Sequence, residues 1–312
     1  MDKTLGWCKT VFKVLLLLGY CVLIHAFNVP SQVMGGFFLS VAVAVRGYRN
    51  FSLSPSGALA AAFVGWATLA SSFRAGIVLL GFFFASSALT KFGDENKDVE
   101  EDFKKGGQRN WIQVLSNGLV PSCIALLAAA QTGGLEWATL PVSAHQLYSM
   151  LSAAFLGYFS CCCGDTWSSE IGQLSEQEPR LITSLRPVRK GTNGGVTLLG
   201  LGASVAGGLY IGLLFYLSGV ISPSGVRGGF VQQWPLVAVG AGAGLVGSLI
   251  DSFLGATIQF TGYNRKTGKI TGKDGSDVSR ISGIRILDNN GVNILSASLC
   301  SILTALFCAL FF

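Results

Sequence analysis

LSAAFLGYFSCCCGDTWSSEIG, residues 151–172, begins as an apolar run fit for a lipid bilayer and ends in three cysteines, an aspartate and a glutamate. Its first half reads as a membrane span and its second half as the polar end of that span. The composition supports the same solvent for the whole chain. Charged residues make up 12% of 312 positions against a usual ~25%, half the residues are hydrophobic, and 41 are glycine. Nine apolar stretches follow, near 11–27, 29–45, 57–73, 75–89, 112–131, 146–164, 194–218, 235–260 and 291–312. The expected fold is therefore an all-α, polytopic membrane bundle of about nine spans, in a single transmembrane domain over 1–312.

Charge placement gives the orientation. With a cytosolic N-terminus, the cytosolic segments are the N-terminal end and loops near 46–56, 90–111, 165–193 and 261–290. These hold all 22 Lys and Arg except Arg74 and Arg227, as expected when basic residues stay on the cytosolic side. The net charge of +6 thus follows topology. No continuous basic face accumulates, which argues against nucleic acid as a partner. Residues 11–27 read as a retained helix without an Arg- and Ser-rich leader, so the endoplasmic reticulum or plasma membrane is expected in preference to a plastid.

Three features resemble chemistry without supplying it. Cys161, Cys162 and Cys163 are consecutive, so on a helix they point about 100° apart and cannot converge on one metal. They read as small packing residues. His25 and His145 are isolated near span ends. GYNRKTGK, residues 262–269, resembles a phosphate-binding loop, but five residues separate its glycines and Ile270 replaces the hydroxyl that would hold magnesium. It reads as part of a flexible polar loop over 261–280.

The acids are the better candidates. If the sixth helix continues past residue 164, Asp165, Ser168, Ser169 and Gly172 share a face, with Thr166 and Glu170 beside them. In GSLIDSFLGATIQ (247–259), Asp251 lies inside the eighth span, where an unpaired carboxylate costs ~2.5–3.5 kcal/mol. Gly240, Gly244 and Gly247 share its face and allow another helix to pack closely. Both acids precede a hydroxyl residue and an aromatic (Asp165-Thr166-Trp167, Asp251-Ser252-Phe253), and both fall toward the cytosolic ends of parallel helices. Hard oxygen ligands there suit Mg²⁺, with Asp165, Glu170 and Asp251 as the metal set.

Polar stripes continue at the same membrane face, with Asn110, Gln113 and Asn117 opening the fifth span and Asn289, Asn290 and Asn293 the ninth. RPVRKGTNGG (186–195) offers Arg186, Arg189 and Lys190 followed by Gly191, Thr192, Asn193, Gly194 and Gly195 before the seventh helix. Such a loop can aim successive backbone N–H groups at phosphate oxygens. KKGGQRN (104–110) repeats the pairing of basic residues and glycines. Carboxylates and two anion cradles at a bilayer face fit phosphoryl or nucleotidyl transfer to a lipid, chemistry made mainly of positioning and charge neutralisation.

The segments LTKFG (89–93), FKKGGQRNWIQVLSNG (103–118), GDTWSSEIG (164–172), RPVRKGTNGGVTLLG (186–200), GSLIDSFLGATIQ and DNNGVN (288–293) resemble the transmembrane protein 19 family, which includes plant phytyl-phosphate kinases and glucose-response membrane proteins. The likeness runs over most of the chain from about residue 30. A shorter, remote likeness is to CTP-dependent lipid kinases and phosphatidate cytidylyltransferases. The family resemblance implies a lipid kinase that phosphorylates an isoprenoid monophosphate, with CTP or another NTP as donor. On that reading Asp165, Asp251 and Lys91 form the catalytic group. Ser169, Arg186, Arg189, Lys190 and Gly191–Gly195 hold nucleotide, while Arg109, Asn110, Gln113, Asn117, Asn289 and Asn293 hold substrate. Two alternatives belong to other classes: a solute transporter with Asp251 on its route, and a non-catalytic regulator of sugar response. The sequence leaves oligomeric state open.

Overall fold

The structure is a computed structural model, and it describes residues 31–92, 101, 107–222, 225–228 and 231–312. The expected first span (11–27) and Lys104, Lys105 and Gly106 of the KKGGQRN stretch lie outside the described residues. Eight long helices are described: α1 (Ser31–Arg49), α2 (Pro55–Ser71), α3 (Phe73–Phe92), α4 (Trp111–Thr132), α5 (Gln146–Gly172), α6 (Leu198–Ile221), α7 (Pro235–Ile258) and α8 (Asn289–Phe311). The six from α3 to α8 are each long and apolar enough to cross a membrane. At 17 residues, α2 spans roughly 25 Å, short of a ~30 Å hydrocarbon core.

The helix starts follow local chemistry. Ser54 caps α2 through Gly57 N–H, with Pro55 at its first turn. Asn110 and Gln113 form a reciprocal capping box at α4. Thr197 caps α6 and Asp288 caps α8. Gly133, at φ 62°, ends α4 in the left-handed conformation that glycine accepts without penalty.

At the centre stands α5, packed by α4, α6, α7 and α8. Its Leu156, Tyr158 and Phe159 are fully buried, and the three consecutive cysteines are buried too. The Tyr158 hydroxyl donates to the Ser116 carbonyl at 2.7 Å, which satisfies the one polar atom on that ring. Between α5, α6 and α7 the contact is almost backbone on backbone. A Cβ added at Gly208 would stand 2.2 Å from the Gly240 carbonyl oxygen, and one at Gly244 would stand 2.5 Å from the Ser204 oxygen. Small residues are what allow helices to approach so closely.

Two sequence expectations change here. The loop expected from 165 begins only at 173, because α5 continues for two further turns, and the expected start of α6 at 194 moves to 198. The fold is also not purely helical outside the spans. β1 (Arg180–Leu181) pairs with β2 (Gly195–Val196), while β3 (Thr261–Asn264), β4 (Lys269–Thr271) and β5 (Val278–Ser282) form an antiparallel sheet in the order β4-β3-β5. The 261–280 segment is therefore an ordered sheet. Its NRKTGK stretch is a hairpin connection: Asn264 pairs with Lys269, Gly268 turns at φ 70°, and the Asn264 side chain accepts from Lys266 N–H.

The loops fall into two sets at opposite ends of the bundle. At one end Arg109 N–H donates to the Ser52 carbonyl and the Lys190 ammonium to the Ser175 carbonyl, while Asn193 donates to Thr261. At the other end Arg227 N–H donates to the Glu136 carbonyl, and Arg74 meets Glu136 in a buried ion pair at 3.8 Å. Arg74 and Arg227, the two basic residues separated by the charge pattern, thus share the end opposite the other described bases.

Candidate functional site

The closest approach of α5 and α7 lies where each helix carries its acid. Gly164, which precedes Asp165, faces Gly244, while Gly247, one turn before Asp251, faces Cys161. Both helices run toward the basic end, so Asp165 and Asp251 enter one cleft of about 690 Å³. The Ser296 hydroxyl on α8 donates to Asp251 Oδ2 at 2.8 Å. Among the described residues, no hydrogen-bond donor sits on the Asp165 carboxylate. Two neighbouring carboxylates repel unless a cation or proton intervenes.

The glycine-containing loop sits directly on α7. Gly194, at φ 80°, approaches so closely that a Cβ would stand 2.6 Å from the Ser252 carbonyl oxygen, next in sequence to Asp251. Gly191, at φ 84°, also needs glycine's freedom. Lys190 fastens the loop to the end of α5 through the Gln173 and Ser175 carbonyls, at 3.0 and 2.6 Å. Asn193 fastens it to the sheet through Thr261, at 2.9 Å. The Thr192 hydroxyl is buried against the cleft without a hydrogen-bond partner among the described residues.

On the facing wall, Arg109 donates from Nη1 to Ser87 Oγ at 2.8 Å. Burial pulls its pKa below the ordinary guanidinium value, and the Glu170 charge acts against that shift. Among the described residues no carboxylate oxygen lies within 4 Å of the Arg109 guanidinium. Asn110, Gln113 and Asn117 line the cleft beside it, and Asn289 and Asn293 face them from α8.

Ser169, Glu170 and Lys190–Gly195 also line this cleft. Three predicted residues do not. The Lys91 ammonium donates to the Asn50 carbonyl at 2.6 Å, which ties α3 to the α1–α2 connection. Arg186 is exposed, and Arg189 lies over the Tyr263 ring at 4.2 Å from its centroid, a cation–π contact that joins the loop to the sheet. Among the described residues no three His, Cys, Asp or Glu side chains are grouped as ligands of one metal ion. Five residues of helix turn Glu170 about 140° away from Asp165, toward the electrostatic reach of Arg109. A pair of carboxylates remains, and Mg²⁺ bound alongside substrate phosphates needs only one or two.

Sequence reasoning missed Ser296, which orients Asp251. Its signal was the α8 stripe Asn289, Asn293, Ser296, Cys300, which repeats at helical spacing.

Comparison with known proteins gives the lineage. The family described as Integral membrane protein DUF92 matches residues 38–301. Protein PGR of Arabidopsis thaliana is 45% identical over 269 residues, covering 86% of this chain and 93% of that protein. An uncharacterized membrane protein of Methanocaldococcus jannaschii is 30% identical over 215 residues, 69% of this chain and 78% of that protein. Protein VTE6, chloroplastic, of Arabidopsis thaliana is 26% identical over 256 residues, 81% of this chain and 65% of that protein. No solved structure matches. The chain belongs to the DUF92 family of integral membrane proteins.

Proposed function

We propose that this multi-pass membrane protein transfers a phosphoryl group from a nucleoside triphosphate, CTP or another, to an isoprenoid monophosphate. One observation carries the reading: two carboxylates, a glycine-containing loop seated on the helix of one of them, and a half-buried arginine that meets no carboxylate among the described residues share one polar cleft at the end of a membrane bundle. The isoprenoid class rests on the family resemblance.

In this reading the Gly191–Gly195 loop and the Thr192 hydroxyl receive the donor's phosphates, and Arg109 with Asn110 receives the acceptor phosphate. An acceptor oxygen forms the new P–O bond to the γ-phosphorus, and the bond from that phosphorus to the bridging oxygen breaks, leaving a nucleoside diphosphate. The acceptor is already an anion, so no side chain has to remove a proton from it. This agrees with His145, the histidine among the described residues, packing against Trp137 at the opposite end. Mg²⁺, held by Asp165 and Asp251, would neutralise the charge of the transferring group. Asp165 and Asp251 position that charge, and Ser296 fixes the orientation of one of them.

A solute route through the bundle is less well supported. Among the residues that line the cleft none lies deeper in α5 than Asp165, and beyond it Leu156, Tyr158 and Phe159 pack the helix closely against its neighbours.

The deciding experiment incubates purified protein in nanodiscs with Mg²⁺, each of four NTPs and short-chain prenyl phosphates, and measures prenyl diphosphate by mass spectrometry. A folded preparation that makes none overturns the proposal. For location we propose the endoplasmic reticulum or plasma membrane. Imaging of the tagged full-length protein tests this, and plastid localisation, the location carried in the name of one relative, is the overturning outcome.

A further inference from the structure

A second cavity, apolar and about 70 Å³, lies between α1, α2, α3 and α4. Val43, Ala61, Val64, Phe83, Val114 and Gly118 are among its walls. It is continuous in lining with the polar cleft, because Arg109, Gln113 and Asn117 border both. Small residues create the space: α2 approaches α1 through Gly65 against Ser40, and α4 approaches α2 through Gly118 against Val64. The side chains beside these crossings do not fill the gap.

The boundary between the two cavities has an unusual charge. Arg109 is a half-buried cation with a hydroxyl partner, Ser87, and no carboxylate within ion-pair distance among the described residues. Its main chain is held on both sides, since Arg109 N–H donates to the Ser52 carbonyl and its own carbonyl accepts from Ser54 N–H. The guanidinium therefore stands at a fixed point, apolar space on one side and the acid-lined cleft on the other. With Glu170 close enough to act on it only through space, the guanidinium keeps its fork open to an anion, and an arginine fork matches phosphate bidentately.

We propose that this cavity seats the first part of the hydrocarbon chain of a single-chain lipid phosphate, whose head group lies on Arg109. The proposal rests on the phosphotransferase reading for its chemistry and adds where the lipid tail goes. With about a tenth of the cleft's volume, the cavity has room for the first few carbons of one chain beside the head group and not for the two ester-linked arms of a phosphatidate. It also sets direction, because a tail between α1 and α4 presents its phosphate toward Asp165 and Asp251.

The test uses full-length protein in nanodiscs and a farnesyl phosphate bearing a diazirine near the phosphate. Photolabelling should fall on peptides containing residues 61–65 and 114–118, unlabelled farnesyl phosphate should compete, and dioleoyl phosphatidate should not. Ala61→Trp, which fills the space, should weaken farnesyl phosphate binding at least tenfold while leaving binding of a fluorescent nucleotide unchanged. Labelling confined to lipid-facing surfaces of α7 and α8, or equal competition by phosphatidate, would overturn the assignment. The labelling readout needs no variant and stands if Ala61→Trp fails to fold. Labelling at these peptides without any diphosphate product would keep the tail site and discard the kinase reading.

Discussion

Gly164 and Gly244 meet across α5 and α7 so closely that a methyl group on Gly164 would stand 2.7 Å from the Gly244 carbonyl oxygen. That contact sets the separation of the acids, because Asp165 follows one glycine and Asp251 lies two turns beyond the other. Gly164→Val should therefore act on stability and on the site together. Overpacking of a tight contact costs about 1–3 kcal/mol, and spreading the helices moves Asp165 away from Asp251. A lowered melting temperature with loss of Mg²⁺-dependent stabilisation is expected. A variant that melts lower but keeps its full Mg²⁺ response would separate the packing from the site.

Much of this was legible because helical spacing is local. The Gly240, Gly244, Gly247 and Asp251 face follows from residue intervals alone, as does the Asn110–Gln113 pair that forms the capping box. The parts that were not legible depend on partners distant in sequence. Lys91 reads as a catalytic residue and Arg189 as a nucleotide ligand because they are basic and lie near the membrane face. Their actual partners, the Asn50 carbonyl and the Tyr263 ring, are brought close only by the fold. Asp165 and Glu170 read as one acidic cluster along the chain, yet a five-residue interval points them apart. The sheet over 261–282 was hidden by a composition that resembles a loop, and the apolar cavity by its origin in four separate helices.

The far end of the bundle offers a stability test independent of function. Glu136 accepts from the Arg74 main-chain N–H at 2.8 Å and pairs with its guanidinium, both side chains being almost fully buried. Glu136→Gln should strand the cation and cost about 3–5 kcal/mol. The double variant Arg74→Gln, Glu136→Gln should recover part of that loss, since neither partner is then left charged. Thermal melting in nanodiscs measures both. Equal destabilisation by the single and double variants would mean that the charge pair is not the cause.

Lys190 and Arg189 should separate although they are neighbours. Lys190 holds the glycine-containing loop against the end of α5, whereas Arg189 rests on Tyr263 outside the cleft. Lys190→Gln is expected to weaken nucleotide binding about tenfold, equivalent to roughly 1.4 kcal/mol. Arg189→Gln should lose a contact worth about 0.5–1 kcal/mol of loop stability and change nucleotide affinity little. Fluorescent-nucleotide titration of both variants checks the order, and a larger effect from Arg189→Gln would reverse it.

The loops at the cleft end should be accessible from one side of the membrane. Ser184 and Asp274 are exposed on the 173–197 and 259–288 connections. Ser184→Cys and Asp274→Cys should both react with an impermeant maleimide only when the cytosolic face is presented, as the basic loops require. Reaction of the two from opposite sides would contradict the shared end on which the cleft depends.

Asp165 and Asp251 permit the sharpest test, because their proposed role predicts opposite signs for activity and stability. Asn keeps the size of Asp and an oxygen acceptor, so at position 251 it can still accept the Ser296 hydroxyl, but it lacks the charge that a divalent cation requires. If the two acids hold Mg²⁺ together, Asp165→Asn and Asp251→Asn should each reduce turnover by about a thousandfold, equivalent to roughly 4 kcal/mol of transition-state stabilisation. The double variant should be scarcely slower than either single one, since members of one catalytic unit do not add. In the absence of Mg²⁺ the same substitutions remove a repulsion between neighbouring carboxylates, so melting temperatures should hold or rise. The stabilisation that wild-type protein gains on adding Mg²⁺ should vanish in all three variants, because a ligand stabilises only the fold that binds it. Turnover and melting with and without Mg²⁺, measured on the same preparations, decide the matter. Near-wild-type turnover in folded Asp251→Asn would remove that residue from the site and leave Asp165 without the partner that the helix crossing provides.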